Sequence, residues 1–190
     1  MRRRFTLALA LLAGLSLTAF VVGCGASSDG ATTAHPNYAK ALKGAPAPLA
    51  ALYAEGNELL PGGKDALEKR IGELGYPSVV NIWASWCNPC RIEFAMFQQV
   101  APKYGKKVAF LGADSEDAET EAKEWLQSHP VPYPSYFEEH SAYAASLKLF
   151  GPPDTAYYDA KGELVYVKHG EYEKQSELEA DIRKYALESS

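Results

Sequence analysis

Two cysteines, Cys87 and Cys90, are separated by two residues at the point where a strand pattern changes to a helix pattern. Residues 79–83 are mostly β-branched or aromatic, which is typical of a strand buried on both faces. Pro89 suits the first turn of a helix, because its missing N–H has no helical acceptor there. Residues 91–100 carry enough apolar side chains for a largely buried helix. The sequence therefore predicts a cysteine pair at the N-terminus of a helix that follows a central strand.

This position predicts redox chemistry for the pair. Unpaired backbone N–H groups and the positive end of the helix dipole both favour a thiolate over a thiol. We therefore expect the pKa of the reduced Cys87 thiol to lie below that of a free cysteine. The thiolate is the form that attacks a disulfide, so we predict Cys87 as the nucleophile. Cys90, one turn further along, is the predicted resolving thiol.

Two other interpretations of the pair are a structural disulfide and half of a zinc site. Structural zinc sites usually need four ligands, and no second cysteine pair exists. The four histidines show no ligand spacing with one another: His35, His129, His140 and His169. A structural disulfide would not need two tryptophans and a proline around it. We therefore favour the redox interpretation, with no metal and no cofactor.

Residues 83–91 read Trp-Ala-Ser-Trp-Cys-Asn-Pro-Cys-Arg. This stretch resembles the W-A-x-W-C-x-P-C-R signature of the TlpA-like and ResA-like branch of thioredoxin-fold thiol–disulfide oxidoreductases, and a weaker likeness extends from about Gly75 to Tyr185. The resemblance implies an extracytoplasmic, membrane-attached protein that acts on client proteins with disulfides or thiols. It also implies a membrane thiol donor or acceptor as redox partner. Trp86 and Pro89 would support the site, with Trp86 shielding the sulfur and contacting clients.

A second element comes from the segment Gly-Pro-Pro-Asp-Thr at residues 151–155. The resemblance implies that Pro153 is a cis-proline that packs against the disulfide. In that family the preceding residue usually offers its backbone to an extended substrate. Here that residue is Pro152, which has no N–H and leaves only its carbonyl.

Asn81 lies six residues before Cys87, where thioredoxins carry a buried aspartate that helps to deprotonate the resolving cysteine. An asparagine cannot take up a proton at neutral pH. The sequence therefore leaves the proton-transfer group for Cys90 unidentified.

The N-terminus has the pattern of an export signal. Three arginines at positions 2–4 precede the charge-free residues 5–22, which predicts a signal peptide over 1–23. The end of this region, Val-Val-Gly-Cys, resembles the lipobox of bacterial lipoproteins. By that resemblance Cys24 is the lipid-modified first residue of the mature protein and attaches it to the extracytoplasmic face of the cell membrane. The alternative is an uncleaved transmembrane anchor, which would also place the domain outside the cytoplasm.

Residues 24–48 are rich in small residues and proline, and we predict a flexible tether there. Residues 49–190 alternate predicted helices and strands and end in a hairpin and a helix, which indicates an α/β domain with a thioredoxin-like mixed sheet flanked by helices. Three expectations are specific: a helix over 49–60, a helix over 141–150, and a capping box of Ser176 and Glu179. The 190-residue chain has a net charge of −5, and its tether and domain carry no basic run, which argues against nucleic acid as a partner.

The direction of electron flow stays open. Stabilisation of a thiolate favours an oxidising protein, whereas the resemblance favours a reductase, which we prefer. The alternatives are a disulfide-forming oxidase on the same fold and a metal-chaperone or interaction lipoprotein. Copper carriers on this fold have three residues between their cysteines instead of two. A thiol peroxidase would need a hydroxyl residue at Ala84 and a proline at Val80.

Overall fold

The structure, a computed structural model, describes residues 36–189. The predicted signal peptide, Cys24 and the first part of the predicted tether lie outside the described residues. Between residues 36 and 189, no helix has the length and apolar character needed to span a membrane.

Six strands within the described part of the chain form one mixed sheet: β1 (Leu59–Leu60), β2 (Ser78–Trp83), β3 (Ala109–Ser115), β4 (Ser135–Glu138), β5 (Asp154–Tyr158) and β6 (Leu164–His169). Their order in the sheet is β1-β4-β3-β2-β5-β6. The first four strands are parallel, while β5 runs antiparallel to β2, and β6 antiparallel to β5. The predicted α/β architecture with a mixed sheet is confirmed.

Helices cover both faces of this sheet: α1 (Tyr38–Ala41), α2 (Ala47–Ala54), α3 (Gly63–Leu74), α4 (Asn88–Tyr104), α5 (Glu119–Ser128), α6 (Ala142–Ser146) and α7 (Gln175–Asp181), which continues as a π-helical segment (Ile182–Leu187). Helices α4 and α5 and the C-terminal segment form one core with Val79 and Trp83 of β2. Helices α2, α3 and α6 form the other with Val80 and Ile82. Strand β2 is thus buried on both faces, as its apolar run predicts.

The predicted helix over 49–60 is wrong in its second half. Helix α2 ends at Ala54, and Leu59–Leu60 pairs with β4 as the edge strand β1. Asn57 makes the change of direction with a φ of +66°, and its backbone N–H donates to the Tyr133 carbonyl at 3.0 Å. The apolar spacing fits a helix, but the open edge of β4 binds the two leucines as a strand.

The predicted helix over 141–150 is shorter in the structure. Helix α6 ends at Ser146, and Lys148 takes a left-handed φ of +60°. The Leu149 N–H then bonds to the Ala144 carbonyl at 3.0 Å and closes the helix end. As a result Phe150, the last residue of the predicted helix, is fully exposed.

The predicted capping box is also wrong, because α7 begins at Gln175 and has no side-chain cap. The Glu179 carboxylate instead accepts hydrogen bonds from Lys103 at 2.7 Å and from the Tyr104 hydroxyl at 3.2 Å, both on α4. A tertiary ion pair replaces the local cap.

The described part of the predicted tether, residues 36–48, contains α1 and the start of α2. The Asn37 side chain caps α1 by accepting the Lys40 N–H at 2.9 Å. The Tyr38 hydroxyl donates to the Pro130 carbonyl at 2.9 Å. Although this stretch has the composition of a linker, Tyr38 attaches it to the rest of the domain.

Candidate active site

Cys87 and Cys90 form a disulfide at the N-terminus of α4. Cys87 is the N-cap residue, and its Sγ accepts the Cys90 N–H at 3.2 Å. Pro89 occupies the first turn, as its lack of an N–H predicts. The side chains are almost buried, with 3% of Cys87 and 1% of Cys90 exposed. The structure therefore brings the two predicted redox residues together where a helix end faces the sulfurs.

Trp86 directly precedes Cys87, and a hydrogen bond holds its indole ring. Its indole N–H donates to the Glu116 carbonyl at 2.9 Å, from a residue with a φ of +56°. The side chain is nevertheless 52% exposed. A fixed aromatic surface next to Cys87 is thus available to another molecule.

Asp117 holds the loop that precedes the cysteines. Its carboxylate accepts the Ser85 N–H at 2.5 Å, the Ser85 hydroxyl at 2.8 Å and the Ala118 N–H at 3.0 Å. Asp114, paired with Trp83 in the sheet, lies close by. Burial and the negative charge of Asp117 raise the pKa of Asp114 to about 9. Our sequence analysis missed this acidic pair; its signal was two acids directly at the end of a buried strand.

Trp83, the last residue of β2, lies beneath α4. Its indole N–H donates to the Ser135 hydroxyl at 3.1 Å, and its ring meets Phe94 edge to face at 5.1 Å between centroids. A Cβ atom at Gly112 would lie 2.9 Å from the Trp83 Nε1. Glycine at 112 therefore leaves room for Ser135 and Trp83, whose side chains form this hydrogen bond.

The peptide bond between Pro152 and Pro153 is cis, as the resemblance predicts. Strand β5 begins directly afterwards, where Asp154 pairs with Ile82 near the end of β2. Pro153, which is buried, therefore lies at the same end of the sheet as the loop that leads to Cys87. Pro152 is half-buried and Phe150 fully exposed, so this segment also reaches the surface.

Glu93 is a buried acid on α4, one turn after Cys90, and only 1% of it is exposed. Its Oε1 accepts the Tyr172 N–H at 2.7 Å. Its Oε2 is buried and has no hydrogen-bond partner among residues 36–189. Burial raises the pKa of Glu93 to about 7, although the Tyr172 N–H opposes the shift. The sequence analysis missed this residue, whose signal was a glutamate at i+3 from Cys90 among apolar helix positions.

Asn81 is buried on the central strand, 1% exposed. As its type predicts, it brings no ionisable group to the site. Among the residues that the structure describes, no group of three or more His, Cys, Asp or Glu side chains is arranged to hold a metal ion.

Residues 62–167, more than half of the chain, match the model of the AhpC/TSA family. This chain belongs to the AhpC/TSA family. Solved structures share the fold: MTB DsbF, in mixed oxidised and reduced forms, is 26% identical with a TM-score of 0.53, over 59% of this chain and 82% of that one. The DsbF homologue from Corynebacterium diphtheriae is 25% identical with a TM-score of 0.52, over 58% and 72%. The predicted thioredoxin-like fold is confirmed.

Among curated relatives, the thiol:disulfide interchange protein DsbE of Allochromatium vinosum is 30% identical over 59% of this chain and 63% of that protein. The protein of the same name from Tatumella citrea is 30% identical over 69% of this chain and 67% of that one. Across four similar curated relatives, all named DsbE, the chain matches between about half and just under two thirds of the relative's length. These names confirm the predicted resemblance to thiol–disulfide oxidoreductases of the thioredoxin fold.

Proposed function

We propose that this protein is a thiol–disulfide oxidoreductase that acts on disulfides of client proteins through Cys87 and Cys90. The observation that carries the proposal is the disulfide at the tip of α4, with Cys87 as the N-cap of the helix. The relatives named as thiol:disulfide interchange proteins support it.

The proposed cycle begins with the reduced protein. The Cys87 thiolate attacks one sulfur of a client disulfide, forms a new S–S bond and releases the other client sulfur as a thiolate that takes up a proton. The Cys90 thiolate then attacks the Cys87 sulfur and releases the second client thiolate. The client disulfide is thereby reduced to two thiols, and the protein dithiol is oxidised to a disulfide.

Resolution requires that Cys90 lose its proton. Glu93 fits the role of proton acceptor, because it lies on the same helix one turn away and its pKa is about 7. Near neutral pH such a carboxyl group exchanges protons readily in both directions. Asn81 has no comparable capacity.

The exposed groups around the disulfide support a protein client. Trp86, in the cysteine loop, and Phe150, just before the cis-proline, offer exposed apolar surface on segments that lie at the same end of the sheet. Pro152 offers a carbonyl but no N–H. We infer that an extended client segment binds beside Pro152. It makes one backbone hydrogen bond fewer there than it would if position 152 were a residue with an N–H.

We propose that the protein works as a reductase, held by a lipid on Cys24 at the extracytoplasmic face of the cell membrane and re-reduced by a membrane thiol donor. The pattern of residues 1–24 and the resemblance support the location. An oxidase remains the second candidate, because a Cys87 at the helix N-cap stabilises the reduced thiolate.

Trapping of the mixed disulfide tests the mechanism. In Cys90→Ser, Cys87 can attack a client disulfide, but no second thiol resolves the mixed disulfide. We therefore expect covalent complexes with clients that dithiothreitol separates by reduction. Cys87→Ser is the matched control and should give none, and both variants should lose the reduction of insulin disulfides. If Cys90→Ser traps no more protein than Cys87→Ser, the proposed activity is rejected.

A further inference from the structure

Lys168, near the end of β6, binds three consecutive backbone carbonyls. Its ammonium donates to His169 O at 2.6 Å, Gly170 O at 3.1 Å and Glu171 O at 3.2 Å. Gly170 has a φ of +71°, which lets the chain curl around the charge. The segment 169–171 is therefore a turn folded around a cation.

Tyr172 follows this turn and points its backbone N–H inward to the Glu93 Oε1, at 2.7 Å. Its ring is buried, and its hydroxyl donates to Asp181 at 2.7 Å and lies 2.7 Å from the Tyr157 hydroxyl. The Lys168 ammonium also lies 5.2 Å from the centre of the Tyr172 ring. The position of the Tyr172 N–H, which bonds to Glu93, thus depends on a turn whose carbonyls Lys168 binds.

We propose that Lys168 is a positioning residue for Glu93: its ammonium shapes the 169–171 turn so that the Tyr172 N–H meets the Glu93 carboxylate. The proposed function gives this arrangement its purpose, because Glu93 is the proposed proton acceptor for Cys90. The arrangement itself is testable without any turnover.

The neighbouring charges decide the sign of the effect. Burial raises the pKa of Glu93, while the Tyr172 N–H and then the Lys168 charge lower it. Besides the Cys90 thiol of the reduced protein, the titratable and charged groups that face Glu93 from the packed elements are Lys168, Glu171, Asp154, Tyr157 and Tyr133. Because Glu171 and Asp154 raise the pKa, Lys168 is the cation of this set that counteracts them.

The experiment is a carboxyl-carbon NMR titration of Glu93 in the oxidised protein, in wild type, Lys168→Met and Lys168→Arg. Lys168→Met removes the charge and frees the turn, so the Glu93 midpoint should move up by about one pH unit. Lys168→Arg keeps a cation with several donors and should restore a midpoint near the wild-type value. Lys161→Met removes a positive charge from the far tip of the same hairpin and should leave the midpoint unmoved.

Lys168→Ala gives the same comparison should Lys168→Met fail to fold, since it also removes both the charge and the donors to the three carbonyls. A Glu93 midpoint that is the same in the wild type and the neutral variant overturns the inference, even if the enzyme is active. Conversely, a wild type that exchanges no disulfides refutes the proposed function and leaves the NMR result standing. In the active enzyme, the pH at which resolution by Cys90 is half-maximal should rise together with the midpoint.

Discussion

Glu93 is an ionisable side chain in a position where an apolar one would stabilise the protein. Only 1% of it is exposed, and one of its two carboxylate oxygens lacks a hydrogen-bond partner among residues 36–189. Burying a carboxyl group in this way penalises its charged form. This cost to stability agrees with our proposal that Glu93 serves as proton acceptor for Cys90.

A stability measurement against pH tests this account of Glu93. Its pKa is about 7 in the folded protein against 4.5 for the unperturbed group. Because the folded state holds the proton more tightly, the contribution is full below pH 4.5 and is lost as the pH rises to 7. Glu93→Gln should remove this loss, so its free energy of unfolding should fall by about 3 kcal/mol less over that range. The free energy of unfolding is measured by urea titration at several pH values. If it changes by the same amount in the wild type and in Glu93→Gln, this account of Glu93 is wrong.

Asp117 provides a second prediction for a single residue. Asp117→Asn loses the charge that strengthens the bonds from Ser85 and should lower the free energy of unfolding by about 1–3 kcal/mol. Ser85→Ala removes only the bond between the hydroxyl and Oδ1 and should lower it by about 1 kcal/mol. Urea titration of both variants tests the order. If Ser85→Ala is the more damaging change, the bond to the backbone N–H is not the main contribution.

The sequence predicts the cysteine pair well because the signal is local. A strand, two cysteines and a proline lie within twelve residues, and a helix N-terminus follows directly. Glu93 and Lys168 could not be assigned in this way, because they are 75 residues apart in the sequence and are brought together by the fold around the Tyr172 backbone. Because every residue except proline has a backbone N–H, no pattern in the sequence identifies the Tyr172 N–H as the partner of Glu93.

At the scale of elements, the two-residue strand β1 depends on Asn57. Its side-chain amide donates to the Leu126 carbonyl at 3.1 Å, and its Oδ1 accepts the Val131 N–H at 3.0 Å. The residue also adopts a left-handed φ of +66°. One asparagine therefore turns the chain out of α2 and fastens it to the loop before β4.

Two substitutions separate these roles of Asn57. Asn57→Ala loses both side-chain bonds and keeps a Cβ in the left-handed region without the polar group that helps asparagine to tolerate it, which together should lower the free energy of unfolding by about 3 kcal/mol. Asn57→Gly loses the bonds but tolerates the conformation, so it should be about 1 kcal/mol less damaging. Urea unfolding measures both. Equal losses in the two variants would show that backbone conformation contributes nothing here.

Elements that are buried as their own apolar pattern implies are predictable from the sequence, and β2 is an example. The errors occur where a distant partner takes over. Leu59–Leu60 looks helical until the free edge of β4 is available, and Glu179 looks like a cap until Lys103 approaches from α4. Local spacing cannot register such a partner, because the sheet order places residues far apart in sequence side by side.

At the scale of the whole molecule, strand direction gathers the site. Strands β2 and β3 are parallel, so Trp83 and Asp114 finish side by side, while antiparallel β5 begins at the same end with Asp154 opposite Ile82. The cysteine loop, the acidic pair and the cis-proline segment therefore share one end of the sheet. The alternation of helices and strands in the sequence predicts this layout. The contacts between the loops could not be predicted, because they depend on the register in which the strands pair.

The direction of electron flow is a property of the whole molecule, because the reduction potential reports the stability difference between its oxidised and reduced forms. For a reductase we expect a potential closer to the roughly −270 mV of thioredoxin than to the roughly −120 mV of DsbA. Each 1.4 kcal/mol by which reduction stabilises the fold should raise the potential by about 30 mV above that of the unfolded chain. The potential is measured in glutathione or dithiothreitol buffers, and unfolding of both forms in urea gives the stability difference independently. As a control, the double variant Cys87→Ser/Cys90→Ser, which cannot form the disulfide, should have the same free energy of unfolding under oxidising and reducing conditions. A potential near that of DsbA, together with a reduced form more stable than the oxidised one, would reject the reductase and favour the oxidase.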